Sequence, residues 1–197
     1  MEDKIIRNIG NCELRTLDGQ ESRTITGYAV VFESESNDLG FIEVIKRGAI
    51  TQELVDSCDI FCKFNHDDNK VLARSNMGKG SLKLTVDDKG LRYEFDAPNT
   101  DLGNELLEYI KRGDLYQSSF AFALDIDDKS AQKWESRSGK YYRTIYKIAA
   151  LYDVSPVWQP AYSETSVDKR SMEEFNSIIE KDKKLDNMLE DLKNYYI

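Results

Sequence analysis

The chain holds one histidine, His66, among 197 residues. If the protein moves protons with an imidazole, the imidazole is His66, because histidine is the side chain whose ordinary titration spans neutral pH. A lone histidine is otherwise a surface residue or a satisfied polar group. Ser118 and Ser119 form a second point of interest. They follow a glycine-containing turn, Gly113-Asp114-Leu115-Tyr116, and open an apolar run that ends at Leu124. A nucleophilic serine needs a fixed rotamer and a neighbouring base, and a strand end beside a rigid element supplies the rigidity. The plainer alternative is two hydroxyls at a strand edge. No Gly-x-Ser-x-Gly elbow occurs, which argues against an α/β-hydrolase. The third point is Asp153, an acid inside the apolar run Leu151-Tyr152-Asp153-Val154-Ser155-Pro156-Val157. A buried carboxylate needs a partner, and an imidazolium would be one; an edge strand with its acid in water is the alternative.

The cysteines carry less. Cys12, Cys58 and Cys62 are an odd number and read as free thiols rather than a disulfide framework. Cys58 and Cys62 lie near His66, but a structural zinc site needs about four ligands and this set is one short. No metal and no cofactor are expected. Cys62 with His66 as a thiol nucleophile and base would stand about 13 Å apart along a strand, too far for contact.

Charge narrows the class. Thirty-six acidic residues against 27 basic ones give a net charge of -9, which argues against a phosphate-binding surface and hence against nucleic acid as a partner. No apolar run is long enough to span a bilayer, so no membrane is expected either. Met1-Glu2-Asp3-Lys4 lacks the apolar core of a secretory signal, so the expected place of action is a cytoplasm.

The positioning elements follow from pattern. Residues 23–34 read as a strand with a bulge or close approach at Gly27, and Phe41–Ile45 as a second strand. Residues 48–55 read as a short helix. Residues 59–66 read as a strand on which Ile60, Cys62, Phe64 and His66 share a face. Residues 81–86 and 91–97 alternate around Asp87-Asp88-Lys89-Gly90, which is a hairpin signal. Residues 101–112 are the clearest helix, capped by Thr100 or Asp101 and ended by Gly113. Residues 118–124 and 141–157 return to strand, with a break at Pro156. From Glu173 onward, Phe175, Ile178, Ile179, Leu185, Met188, Leu189, Leu192 and Tyr196 recur at helical spacing. The expected fold class is α+β: mainly an antiparallel β-barrel with peripheral helices. Two regions are expected: a barrel domain over 1–167 and an amphipathic helical tail over 168–197, with Pro160-Ala161-Tyr162-Ser163 as the natural boundary.

In order and spacing these pieces resemble the prohead (head maturation) proteases of HK97-type tailed phages. The resemblance runs from about Arg23 to Val167. It rests on Gly27-Tyr-Ala-Val-Val-Phe32, Phe41-Ile-Glu-Val-Ile-Lys-Arg-Gly-Ala49, Asn65-His66-Asp67, Gly113-Asp-Leu-Tyr-Gln-Ser-Ser-Phe-Ala-Phe122 and Asp153-Val-Ser-Pro-Val-Trp-Gln-Pro-Ala-Tyr162. It implies a fold similar to the herpesvirus capsid assembly proteases and a serine endopeptidase that cleaves the scaffolding segment of the capsid protein and itself. The implied partners are the major capsid protein and a second copy of the chain, inside the assembling procapsid of the host cytoplasm. The family's serine precedes Phe-x-Phe, which selects Ser119 as nucleophile over Ser118; the family's histidine falls on His66 as base. Gln117-Ser118 stands where the family often has Gly-Met. The herpesvirus enzymes use a second histidine as third member; this chain has none, and Asp153 is the expected substitute, with Glu94 or Asp96 behind it. Arg143 and the Gly139 loop are candidate contributors to an oxyanion site. The alternative to an enzyme is a non-enzymatic assembly protein that keeps the fold.

Overall fold

The computed structural model describes residues 4–8, 14–16, 22–125 and 127–158, and near the C-terminus 172, 173, 175–181, 183–185 and 188. The chain divides into two units, Met1–Ser163 and Glu164–Ile197. In chain order the first unit contains β1 (Ile5–Asn8), β2 (Leu14–Thr16), β3 (Thr24–Val31), β4 (Ile42–Ile45), α1 (Gln52–Ser57), β5 (Asp59–Lys63), β6 (Val71–Asn76), β7 (Lys79–Gly80), β8 (Lys83–Val86), β9 (Gly90–Asp96), α2 (Asp101–Lys111), β10 (Gln117–Ala123), β11 (Gln132–Arg137), β12 (Lys140–Ile145) and β13 (Ala150–Val157).

The strands form three open sheets, not a barrel. Six strands run β1-β10-β13-β5-β6-β7, three run β11-β12-β4, and four run β2-β3-β9-β8. This corrects the expected α+β antiparallel barrel: each sheet ends in edges, and the unit is mainly β with two helices among its described residues, α1 and α2. Two pairings are parallel, β13 with β5 and β12 with β4. Alternation in a sequence tells which side chains face a core, but it does not tell which edges join, and closure is a property of edges.

Local chemistry explains the elements. Thr51 caps α1 by accepting from the Leu54 N–H, and Thr100 caps α2 by accepting from the Gly103 N–H. Gly113 follows α2 with φ 76°, a left-handed conformation that suits glycine at a helix end. The β8–β9 hairpin forms around residues 87–90, where Asp87 accepts from the Lys89 and Gly90 N–H groups. In β3 the irregularity falls between Tyr28 and Val30, two residues beyond Gly27. Strand β13 runs through Pro156, because its pairing with β5 ends at Val154 and leaves room for a residue without an N–H.

The core holds Ile5, Ile25, Ile45, Ile60, Leu91, Tyr93, Phe120 and Phe122, all fully buried. One charged cluster lies within it and ties two sheets together. Glu43 of β4 accepts from Arg7 Nε of β1 at 2.8 Å and from Arg143 Nη1 of β12 at 3.1 Å. Arg143 Nε also donates to Gln132 Oε1 at 2.7 Å. All three charged residues are buried, so the carboxylate is the counter-charge for two guanidiniums out of water.

In the second unit every described residue between 172 and 188 is helical. Ile178, Leu185 and Met188 of the expected stripe are exposed. Leu189, Leu192 and Tyr196, the Pro160–Ser163 boundary, the 167/168 division and Cys12 lie outside the described residues. No described helix is long and apolar enough to cross a membrane.

The buried cluster generates the first prediction. Glu43→Gln keeps the shape but removes a buried negative charge that two buried guanidiniums share, so it should destabilise the fold by about 3 kcal/mol. Urea unfolding of the two proteins measures this; an unchanged midpoint would show that the cluster is solvated.

Candidate active site

The site begins with two adjacent serines on one strand. Successive side chains in a strand point to opposite faces, so Ser118 and Ser119 cannot share a neighbourhood. Ser118 Oγ lies 2.6 Å from Tyr93 Oη, against the four-stranded sheet. Ser119 Oγ lies 2.6 Å from His66 Nε2. Both serines are fully buried, because β10 is a central strand with β1 on one side and β13 on the other.

Asp153 reaches the same face through register. Ser119 pairs with Ser155 and Ala121 with Asp153, so Ser119 and Asp153 stand one step apart diagonally across β10 and β13. Asp153 Oδ1 is 2.6 Å from His66 Nδ1 and accepts from Ser155 Oγ at 3.0 Å. Lys4 Nζ donates to Asp153 Oδ2 at 2.7 Å, and Lys63 Nζ stands 3.7 Å from the same oxygen. Lys4 and β1 leave no signal in the sequence, because four residues show too little periodicity to be read as a strand.

His66 is not on a strand, contrary to expectation. β5 stops at Lys63, and Asn65 and His66 take φ of 57° and 58°, both left-handed. Asn and His are among the residues that tolerate this region, at a cost of about 1 kcal/mol each. Hydrogen bonds hold the turn: Asn65 N–H to the Pro156 carbonyl at 2.9 Å, Phe64 N–H to the Lys70 carbonyl at 2.9 Å, and Lys70 N–H to the Asp67 carbonyl at 2.9 Å. Because β5 runs parallel to β13, with Asp153 opposite Phe61, the turn after β5 opens beside the half of β13 that leads away from Asp153. The Asn65–Pro156 bond then fixes the ring over the strand.

The structure therefore brings Ser119, His66 and Asp153 into one hydrogen-bonded line. The fallback acids stand elsewhere: Glu94 pairs with Lys83 and Arg92, and Asp96 accepts from Thr24. Arg143 belongs to the buried cluster with Glu43. Cys62 is buried, and burial followed by the charge of Asp153 pushes its thiol well above the ordinary range, so it stays protonated and inert.

Electrostatics suit a base held by an acid. Burial alone would raise the Asp153 pKa, but the hydrogen bond and charge of His66, and then those of Lys4, outweigh it and bring it down to about 2. The carboxylate is thus ionised at any ordinary pH. An ionised acid on Nδ1 fixes the proton there and leaves Nε2 as the lone pair that faces the serine, which is the tautomer general-base catalysis needs.

The serine hydroxyl also has a second acceptor. Ser119 Oγ lies 2.9 Å from the carbonyl oxygen of Arg7, and its single proton can serve either that oxygen or His66 Nε2 at one time.

Comparison with known proteins gives two findings. A family model described as Caudovirus prohead serine protease matches residues 10–178. Among solved structures, the capsid assembly protease gp21 of bacteriophage T4 is similar at 13% sequence identity and a TM-score of 0.48, over 80% of this chain and 98% of that one. The search of curated proteins finds no match.

The depressed pKa generates a stability prediction. Asp153 is held in the fold at a pKa of about 2, below the ordinary value of 3.8, by His66 and Lys4. Its contribution is complete above the unfolded value and is lost as pH falls through the folded one. Between about pH 5 and about pH 2 the native protein should lose about 2 kcal/mol through this group, a loss absent from Asp153→Asn. Denaturant titrations of both proteins across that range test this; equal acid sensitivity would mean that the carboxylate is not held ionised.

Proposed function

The chain belongs to the caudovirus prohead serine protease family, and from that premise we propose that Ser119 is its nucleophile, His66 its general base and Asp153 the acid that orients the base. The single observation that supports this most is the pair of 2.6 Å contacts on the two nitrogens of the chain's one imidazole. A non-enzymatic assembly protein would have no need of that geometry around a buried serine.

The chemistry is acyl transfer. His66 Nε2 takes the Ser119 proton as Oγ attacks a peptide carbonyl. Asp153 stabilises the imidazolium through Nδ1–H, and the imidazolium then gives its proton to the leaving amine. Water repeats the sequence in reverse and releases the acyl group. Ser119 has no solvent contact in this arrangement. The substrate must therefore approach along the His66 edge, where the side chain is 12% exposed.

The substrate class we propose is that of an HK97-type prohead protease: the scaffolding segment of the major capsid protein, and the chain itself, cleaved inside the procapsid in the host cell. A second copy of the chain is the proposed dimer partner. Catalysis is assigned to residues 1–167 and docking to the helical tail, 168–197, whose exposed Ile178, Leu185 and Met188 offer apolar surface to a partner helix. A chain ending near Ser171 should keep its unfolding temperature and its peptidase activity while losing packaging; global unfolding would return the tail to the core.

Co-expression with the capsid precursor tests the nucleophile. Ser119→Ala should reduce processing by about three orders of magnitude or more. Ser118→Ala should retain most of it, since that hydroxyl faces Tyr93. His66→Ala should match Ser119→Ala, and the double variant should be no worse than either. Undiminished processing by Ser119→Ala would reject the assignment.

A further inference from the structure

The N-terminal strand touches the proposed triad at both ends. Lys4, which leads into β1, places Nζ 2.7 Å from Asp153 Oδ2, while His66 Nδ1 holds Oδ1 at 2.6 Å. The two carboxylate oxygens are thus divided between two cations or potential cations. Three residues later the Arg7 carbonyl meets Ser119 Oγ at 2.9 Å. The strand is not a loose flap. Ile5 is fully buried, Arg7 is bound to Glu43 in the core, and four residues of β1 pair with β10.

From this geometry we infer that Lys4 is a positioning residue for Asp153, and that β1 is a working part of the catalytic site. The inference rests on the reading of Ser119, His66 and Asp153 given above. A lysine paired with an exposed acid contributes little. Here the acid is fully buried, so the pair is weakly screened and its geometry is shared with the base. By occupying Oδ2, Lys4 leaves Oδ1 aimed at the imidazole. By offsetting the carboxylate charge, it also weakens the field that the carboxylate exerts on the ring.

The Arg7 carbonyl acts in the opposite sense. When His66 is protonated, both ring nitrogens donate, and the Ser119 proton turns to Arg7. When the ring is neutral, the same proton turns to Nε2. β1 therefore sets the balance between a resting and an attacking arrangement. The other groups facing Asp153 do not duplicate Lys4. Lys63 of β5 is more distant at 3.7 Å, and its ammonium is bound to Asp68. Cys62 of β5 is a protonated thiol, and Ser155 of β13 is a neutral hydroxyl.

The test measures initial rates of capsid-precursor cleavage over about pH 5 to 8 for the wild type, Lys4→Met, Lys4→Arg and Ser119→Ala, with thermal unfolding in parallel. Lys4→Met should cleave about tenfold more slowly at neutral pH, the loss expected for one charge-assisted hydrogen bond to a buried carboxylate. Its acid limb should move to higher pH by about half a unit or more. Lys4→Arg should restore both. Lys4 is about one-third exposed, so these variants should fold. A wild-type rate and acid limb in Lys4→Met would overturn the inference while leaving an inactive Ser119→Ala to support the triad. So would faster cleavage, which would make β1 a cover whose loosening activates the enzyme. A slower rate that tracks a lower unfolding temperature, with no movement of the limb, would also overturn it. Full activity in Ser119→Ala would reject the triad itself, and Lys4's role with it.

Discussion

A carboxylate without solvent governs this structure. Asp153 is fully buried and ionised, a state that costs several kcal/mol unless charges and hydrogen bonds are supplied around it. The supply comes from separate pieces of chain: Lys4 ahead of β1, Lys63 in β5, His66 in the turn after β5, and Ser155 in β13 itself. No single element could provide it, so the demand of one acid fixes how the N-terminus, the β5 turn and β13 must meet. A hydrogen-bonded line from Asp153 to Ser119 results from satisfying that demand, since the partner that completes the shell is an imidazole with its second nitrogen on Ser119.

Sheet topology makes the meeting possible. β10 presents alternate serines to opposite faces, and its antiparallel register with β13 sets Ser119 one diagonal step from Asp153. The parallel pairing of β5 with β13 lets the turn beyond Lys63 reach back over the strand, where Asn65 binds the Pro156 carbonyl. Behind the sheet, Arg7, Glu43 and Arg143 lock β1 to β4 and β12. The same residue that anchors the strand in the core thus offers its carbonyl to the Ser119 hydroxyl.

What could be read from the sequence was what depends on local pattern. The β8–β9 hairpin and α2 with its Thr100 cap announce themselves through turn and capping residues. His66, Asp153 and the pair Ser118–Ser119 stand out because each sits oddly in its context: a lone imidazole, an acid within an apolar strand, two serines before one; the resemblance to the prohead proteases, not the context, singles out Ser119. What could not be read depends on long-range pairing. β1 is too short to show a period, yet it carries Lys4 and the Arg7 carbonyl. The barrel expectation failed because strand edges leave no mark in alternation, and three open sheets and one closed sheet share the same pattern of inward residues. Apolar alternation continues through Phe64 and so points to a strand at His66, whereas the backbone turns left-handed one residue after Phe64.

That left-handed turn has an evolutionary consequence. Asn65 and His66 hold back-to-back conformations that glycine would adopt with less strain, and position 66 cannot become glycine without losing the imidazole. Position 65 can. A library screened for heat tolerance should therefore enrich glycine at 65, while a library screened for turnover should keep asparagine, whose stiffer backbone holds the ring over β13. The two selections would part company at a residue that stands beside the imidazole rather than in the hydrogen-bonded line, which makes position 65 a marker of which pressure a given lineage has been under.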